Sequence, residues 1–165
     1  MRMKPRTIIV AVAAVVLIGA FFAFRPDRLF NNHIVNEDMP ADLAAGKQTL
    51  ATGTFHTALH PTMGIASIYQ AADGTRILRF TNFTTSNGPD VHIYMVSAQD
   101  PTDNDAVKNA QYIDLGVMKG NIGDQNYTLG SDVDLSRYRS VVVWCKRFAF
   151  NFGYAPLTSG QVAQN

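Results

Sequence analysis

The sequence predicts an all-β domain, an antiparallel β-sandwich or barrel-like fold of eight or nine strands, preceded by one N-terminal transmembrane helix. Three observations predict it. From Thr52 onward, short alternating runs recur every eight to twelve residues between Gly, Asn, Asp and Pro signals, the spacing of a sandwich or barrel. No part of that region carries the periodicity of a long helix. From Ile8 to Phe24 the chain is apolar without a break.

That apolar run has 17 residues, with Gly19 its only glycine, and follows Arg2, Lys4 and Arg6. At about 1.5 Å per residue, a helix of this length just reaches across a hydrocarbon core of about 30 Å. A cleaved signal peptide has a shorter apolar stretch and a small-x-small site. Here Phe21, Phe22 and Phe24 stand where small residues belong. The expectation is an uncleaved signal-anchor over residues 7–24, with residues 1–6 in the cytoplasm. The excess of bases before the run over Arg25 and Arg28 after it sets that orientation. The remainder is then extracytoplasmic, on a single-pass protein of the cell membrane. Residues 25–51 read as a linker, with polar and proline-bearing pieces and a helical turn at 42–45.

The β domain is expected over 52–157. A first strand spans 52–57. A second, at 64–71, ends in Ala72-Asp73-Gly74-Thr75, a strong hairpin signal. Residues 76–83 alternate: Ile77, Arg79, Thr81 and Phe83 one way, Leu78, Phe80 and Asn82 the other. Asn87-Gly88-Pro89-Asp90 is a turn, and 91–98 is the next strand. A polar loop runs to about residue 110, with a helical turn near 105–108. Strands follow at 112–118, interrupted at Gly116, and at 126–129. Residues 140–146 and 149–155 form the last hairpin, with Phe148, Phe150 and Phe152 as a core stripe. A polar tail occupies 158–165.

Charge and cysteine exclude several classes. The chain has 165 residues, 14 Lys/Arg and 13 Asp/Glu. Five of the bases and one acid fall in the first 28 residues, so nine bases face twelve acids beyond them, a net −3. A mildly acidic body argues against nucleic acid as a partner. One cysteine, Cys145, excludes an intramolecular disulfide and any multi-cysteine metal site. No histidine or methionine follows it at blue-copper spacing, and no second cysteine completes a c-type haem motif. No metal site is expected; His56 and His60 flank a turn before Pro61. Paired carboxylates, a nucleophile elbow and a phosphate loop are missing in convincing context, so an ordinary enzyme is not favoured.

Alternation in Ser140-Val-Val-Val-Trp-Cys145 puts Val141, Val143 and Cys145 on one face, and Val142, Trp144 and Lys146 on the other. Cys145 reads either as a small core hydrophobe or as a chemically used thiol.

Several segments in order resemble the electron-transfer DM-thirteen domain. They are Gly53-Thr-Phe55, Gly64, Leu78 to Asn82-Phe83, Gly88-Pro-Asp-Val-His-Ile-Tyr94, Leu115-Gly116, Gly120 and Gly123 to Tyr127, Val143-Trp-Cys145, and Phe152-Gly-Tyr-Ala155 to Leu157. The likeness covers roughly 52–157. The N-terminal segment resembles bacterial members that carry the domain outside a membrane anchor. The resemblance implies a sandwich-like domain whose family cysteine maps onto Cys145, and a redox or electron-transfer role. It makes Cys145 the candidate redox residue, with His92, Trp144 and Phe152 as its surroundings, and a protein redox partner. Non-covalent haem is the cofactor the analogy allows, although no haem segment is recognisable. The competing expectation is a non-catalytic cell-envelope binding module, with Cys145 only a core residue and the 99–111 loop and the 87–90 turn as its binding surface.

Overall fold

The computed structural model describes residues 5–24 and 31–160. The expected cytoplasmic residues 1–4, the first linker residues 25–30 and the tail beyond 160 lie outside the described residues. The apolar run forms helix α1, Pro5–Phe24. Its side chains from Ile8 to Phe22 are largely exposed rather than packed into a core. Among the described residues no helix is long and apolar enough to cross a membrane, so the expected transmembrane helix stands only as a helix.

The body is all-β, as predicted. Strands β1 (Lys47–Thr54), β3 (Met63–Ala71), β4 (Arg76–Thr84), β7 (Gln125–Leu129) and β10 (Thr158–Ser159) form one sheet in the order β10-β1-β3-β4-β7. Strands β2 (His56–Thr57), β5 (Val91–Val96), β6 (Tyr112–Val117), β8 (Ser140–Cys145) and β9 (Phe150–Pro156) form the other, ordered β2-β9-β8-β5-β6. Every pairing within the sheets is antiparallel. The two sheets are open, a sandwich rather than a closed barrel. Between them lies one apolar core: Ile68, Leu78, Phe80 and Tyr127 from the first sheet, Ile93, Met95, Val141, Val143, Cys145 and Phe152 from the second.

The apolar run of β8 reflects burial on both faces. Val141, Val143 and Cys145 enter the inter-sheet core. Val142 and Trp144 join Tyr94, Val96 and Tyr154 in a second apolar layer on the outer face. Val107 of helix α3 (Asn104–Lys108) closes that layer from the 99–111 loop. A strand covered on both faces loses its polar alternation, and this one has.

Two bulges interrupt the alternation beside core phenylalanines. Between Met63 and Ile65 the β3–β4 register slips, with Gly64 at φ 119° and Asn82 at φ 51°. An added Cβ on Gly64 would sit 2.8 Å from the Phe83 Cα, so glycine permits the crossing. The slip turns Phe83 inward beside Phe80 and Phe55, not to the face of Arg79. A second slip, between Val143 and Trp144, leaves Phe152 unpaired and points it into the core. The expected phenylalanine stripe holds only at Phe152, which is buried; Phe148, in the turn before β9, and Phe150, the first residue of the strand, are about two-fifths exposed.

The expected linker is not free chain from residue 31 onward. Val35 N–H donates to the Ile122 carbonyl and Glu37 N–H to that of Asp124, each at 2.9 Å. Ile34 bridges Ile122 in parallel. Helix α2 (Ala41–Ala45) then buries Leu43 against Ala71 and Ile77, and β1 starts at Lys47. The strap looks polar in sequence because it serves as a strand-like partner to a loop, not as core.

Candidate functional site

Cys145 is the last residue of β8, opposite Val91 on β5 and Phe150 on β9. It is fully buried. The next peptide closes the strand end, Lys146 N–H donating to the Asp90 carbonyl at 2.9 Å. Lys146 itself turns to the other face, where its Nζ lies 3.2 Å from Asp114. The thiol thus receives no cation from its neighbour in sequence.

The four residues singled out from the sequence divide between two faces of one sheet. Cys145 and Phe152 share the inter-sheet core. His92 and Trp144 face each other across the β5–β8 ladder and lie on the outer side with Tyr94. The sheet separates the pairs, so His92 and Trp144 do not surround the sulfur as expected. The cause is the period of two: Trp144 and Cys145 are adjacent in sequence and opposite in space.

His92 is fixed by carboxylates on both sides of its ring. Nδ1 lies 2.9 Å from Asp114 Oδ1, and Nε2 lies 3.3 Å from Asp90 Oδ1. Burial alone would raise the Asp114 carboxyl; bonds from His92, the Gly116 N–H and Lys146 overcome that and hold it below its ordinary range. Tyr112 stacks on Tyr94 at 4.5 Å and 7°, and Tyr94 lies 6.3 Å from Trp144. Burial, reinforced by Asp114, Tyr112 and Asp90, pushes the Tyr94 hydroxyl well above the usual phenol range, so it stays protonated. The bulge between His92 and Tyr94, with Gly116 at φ 104°, brings Asp114 beside His92.

Alternation puts Tyr94 on the side of His92, but sequence reading missed Tyr112 and Asp114 as members of this face. Their only signal was a turn-type glycine inside a strand, which marks a bulge. His56 and His60 do not meet as a pair: His56 lies against Tyr154, and His60 against Phe152 at 4.0 Å. Burial lowers the His60 pKa. Among the described residues no three His, Cys, Asp or Glu side chains are grouped to hold a metal.

The haem analogy is tested by space. Cys145 is packed on all sides in the core. Two cavities among the described residues, about 360 and 210 Å³, are lined by other residues. His92 has both ring nitrogens engaged. These residues do not fit a haem without opening the sandwich.

An open antiparallel sandwich with one core thiol and a histidine, carboxylate and aromatic outer face defines a single-cysteine all-β domain. Residues 54–157 match the family described as electron transfer DM13, over more than half of the chain. The chain belongs to that family. The match spans His92, Trp144, Cys145 and Phe152 and supports a general redox or electron-transfer role. Comparison with curated proteins gave no match, and comparison with solved structures gave none.

Proposed function

We propose that this chain is a redox module attached to a membrane through α1, in which the Cys145 sulfur changes oxidation state. The observation that carries the reading is the position of the chain's only thiol, at the end of a central strand of an electron-transfer family domain. A single sulfur needs no second cysteine: a peroxide converts R–SH to R–SOH and is itself reduced to water or an alcohol. A first reductant thiol displaces water from R–SOH to form a mixed disulfide, and a second releases R–SH, the two leaving as their disulfide. Access to Cys145 requires the strand end to open, where the 86–90 and 146–149 turns meet. The apolar circumference of α1 supports attachment, because a helix apolar all round needs a lipid or protein cover. We place the body on the extracytoplasmic side, the bases before α1 staying in the cytoplasm, with a protein as its redox partner.

The test is peroxide treatment of the full chain, folded and unfolded, followed by sulfenic-acid labelling and mass analysis. Folded Cys145 is expected to oxidise slowly and reversibly. If it stays reduced under a dose that fully oxidises the unfolded chain, the proposal fails. Complete burial in apolar surroundings favours the second reading, a binding module in which Cys145 only packs. Retained partner binding in Cys145→Ala supports that reading.

A further inference from the structure

We propose that the outer face of the second sheet carries a binding site for a planar aromatic small molecule with an anionic edge. The site stands on its own geometry; its bearing on electron transfer rests on the reading above. A cleft of about 210 Å³ is lined by Tyr94, Val107, Lys108, Tyr112 and Trp144. Three of these five residues are aromatic. Tyr94 and Trp144 lie on adjacent strands with their rings within 27° of parallel. They are almost fully buried and belong to the same apolar layer as Val142 and Tyr154. Tyr112 stacks on Tyr94 from the edge strand and remains 53% exposed, so ring surface stays open to a ligand.

The loop wall is held in place. Asp103 caps α3 by accepting from Ala106 N–H at 2.8 Å. Asn151 of β9 ties the loop twice, its N–H to Asn104 Oδ1 and its Nδ2 to the Pro101 carbonyl, both at 2.7 Å. Val107 is buried beneath, which fixes Lys108 at the rim. Such a site is preformed, apolar and furnished with one charged group, the pattern of a small-molecule pocket. The exposed Tyr112 ring selects a planar ligand by offset stacking, with Tyr94 and Trp144 lining the cleft beside it. Lys108 selects the anion, since its sole ion-pair partner among the described residues is Asp105, exposed and 3.6 Å away. The nearby carboxylates are engaged: Asp90 and Asp114 face His92, and Asp114 also meets Lys146. Two or three fused rings suit an open cleft of this volume. A sulfonated or carboxylated quinone is the member of this class that would also serve an electron-transfer domain.

The chain's only tryptophan reports on the site directly. The full chain in nanodiscs is titrated with anthraquinone sulfonate while Trp144 fluorescence is followed, with empty nanodiscs as the blank. Saturable quenching is expected. Lys108→Gln should weaken binding about three- to fivefold at low salt and little at high salt. Tyr112→Ala, at an exposed position, should weaken it about tenfold through lost stacking and area. Both variants should keep the far-ultraviolet circular dichroism of the parent chain. An uncharged hydroxymethyl anthraquinone should bind the parent more weakly and ignore Lys108→Gln. Quenching that rises linearly without saturation, or saturation unchanged by both variants, overturns the site. Equal affinity for the neutral probe overturns the anionic edge. Cys145→Ala should bind the probe as the parent does; loss of binding there would place the probe at the core thiol instead of the outer face and overturn the proposal. None of these outcomes depends on whether Cys145 is oxidised by peroxide.

Discussion

Trp144 and Cys145 are consecutive residues of β8 that occupy opposite layers of the protein, the indole in the outer aromatic layer and the thiol in the inter-sheet core. The sheet one residue thick between them separates the candidate redox group from the residues expected to surround it. Any substitution at one must be read against a different environment from the other.

For Cys145 the core environment sets the order of two substitutions. Cys145→Ala leaves a small void and should cost about 1–2 kcal/mol. Cys145→Ser puts a hydroxyl among apolar side chains and should cost about 1–3 kcal/mol more. Urea denaturation of both chains checks the order. If serine is the better tolerated, the sulfur sits in polar surroundings and its placement here is wrong. Alanine is therefore the cleaner redox-null variant.

Gly123 holds the strap of residues 31–38. Its φ is 101°, and an added Cβ would lie 2.1 Å from the Val35 carbonyl oxygen. Gly123→Ala should destabilise the protein by about 1–3 kcal/mol through strain and overpacking. The strap should come loose first. Limited proteolysis should cut between residues 31 and 46 faster, while the circular dichroism of the sandwich is retained.

Arg79 is an almost buried cation with three partners: Asp124 Oδ2 at 2.6 Å, Asn126 Oδ1 at 2.8 Å and the Glu37 carbonyl at 2.9 Å. Arg79→Met strands the Asp124 carboxylate, which is partly solvated, and should cost about 3 kcal/mol, the lower end for a broken buried pair. Adding Asp124→Leu should recover part of that loss, since an apolar pair of similar volume often replaces an ion pair at little cost. A double-mutant cycle in chemical denaturation measures it.

Acid should weaken the fold in two windows. Burial gives His60 a pKa below its ordinary 6.5, so its contribution is present above 6.5 and is lost as pH falls toward the lowered value. Glu37 and Asp114 follow the same sign at lower pH. In each, burial opposes ionisation and is outweighed, for Glu37 by Lys119 and the Asn126 N–H, for Asp114 by His92, Gly116 and Lys146. Their contributions are complete above 4.5 and 3.8 respectively and disappear as pH falls through the depressed values. Melting temperature against pH should flatten in the lower window for Glu37→Gln with Asp114→Asn, and in the upper window for His60→Phe. An unchanged profile in the double carboxylate variant would remove these pairs from the acid response.

Local pattern carried much of the fold. Asp73-Gly74 turned β3 into β4, alternation placed Leu78 and Phe80 in the core, and the helical turns near 42–45 and 105–108 formed where expected. The same alternation separates Cys145 from Trp144, whereas the candidate site that the family resemblance implies joins them; a motif carries order along the chain and not the face of the sheet.

The sequence by itself determined the all-β class, the family, the lone thiol and the face to which each residue of β8 belongs. The class, the thiol and the faces follow from composition and a period-two backbone, which are local properties, and the family from the likeness of its ordered motif segments. Long-range pairing settled that Phe83 turns inward, that residues 31–46 are strapped to the sandwich, and that Tyr112 and Asp114 arrive beside Tyr94 and His92. Those outcomes depend on pairing between segments distant in the chain. A slip of one residue in register exchanges one face for the other, and no local run of sequence records which partner will impose it.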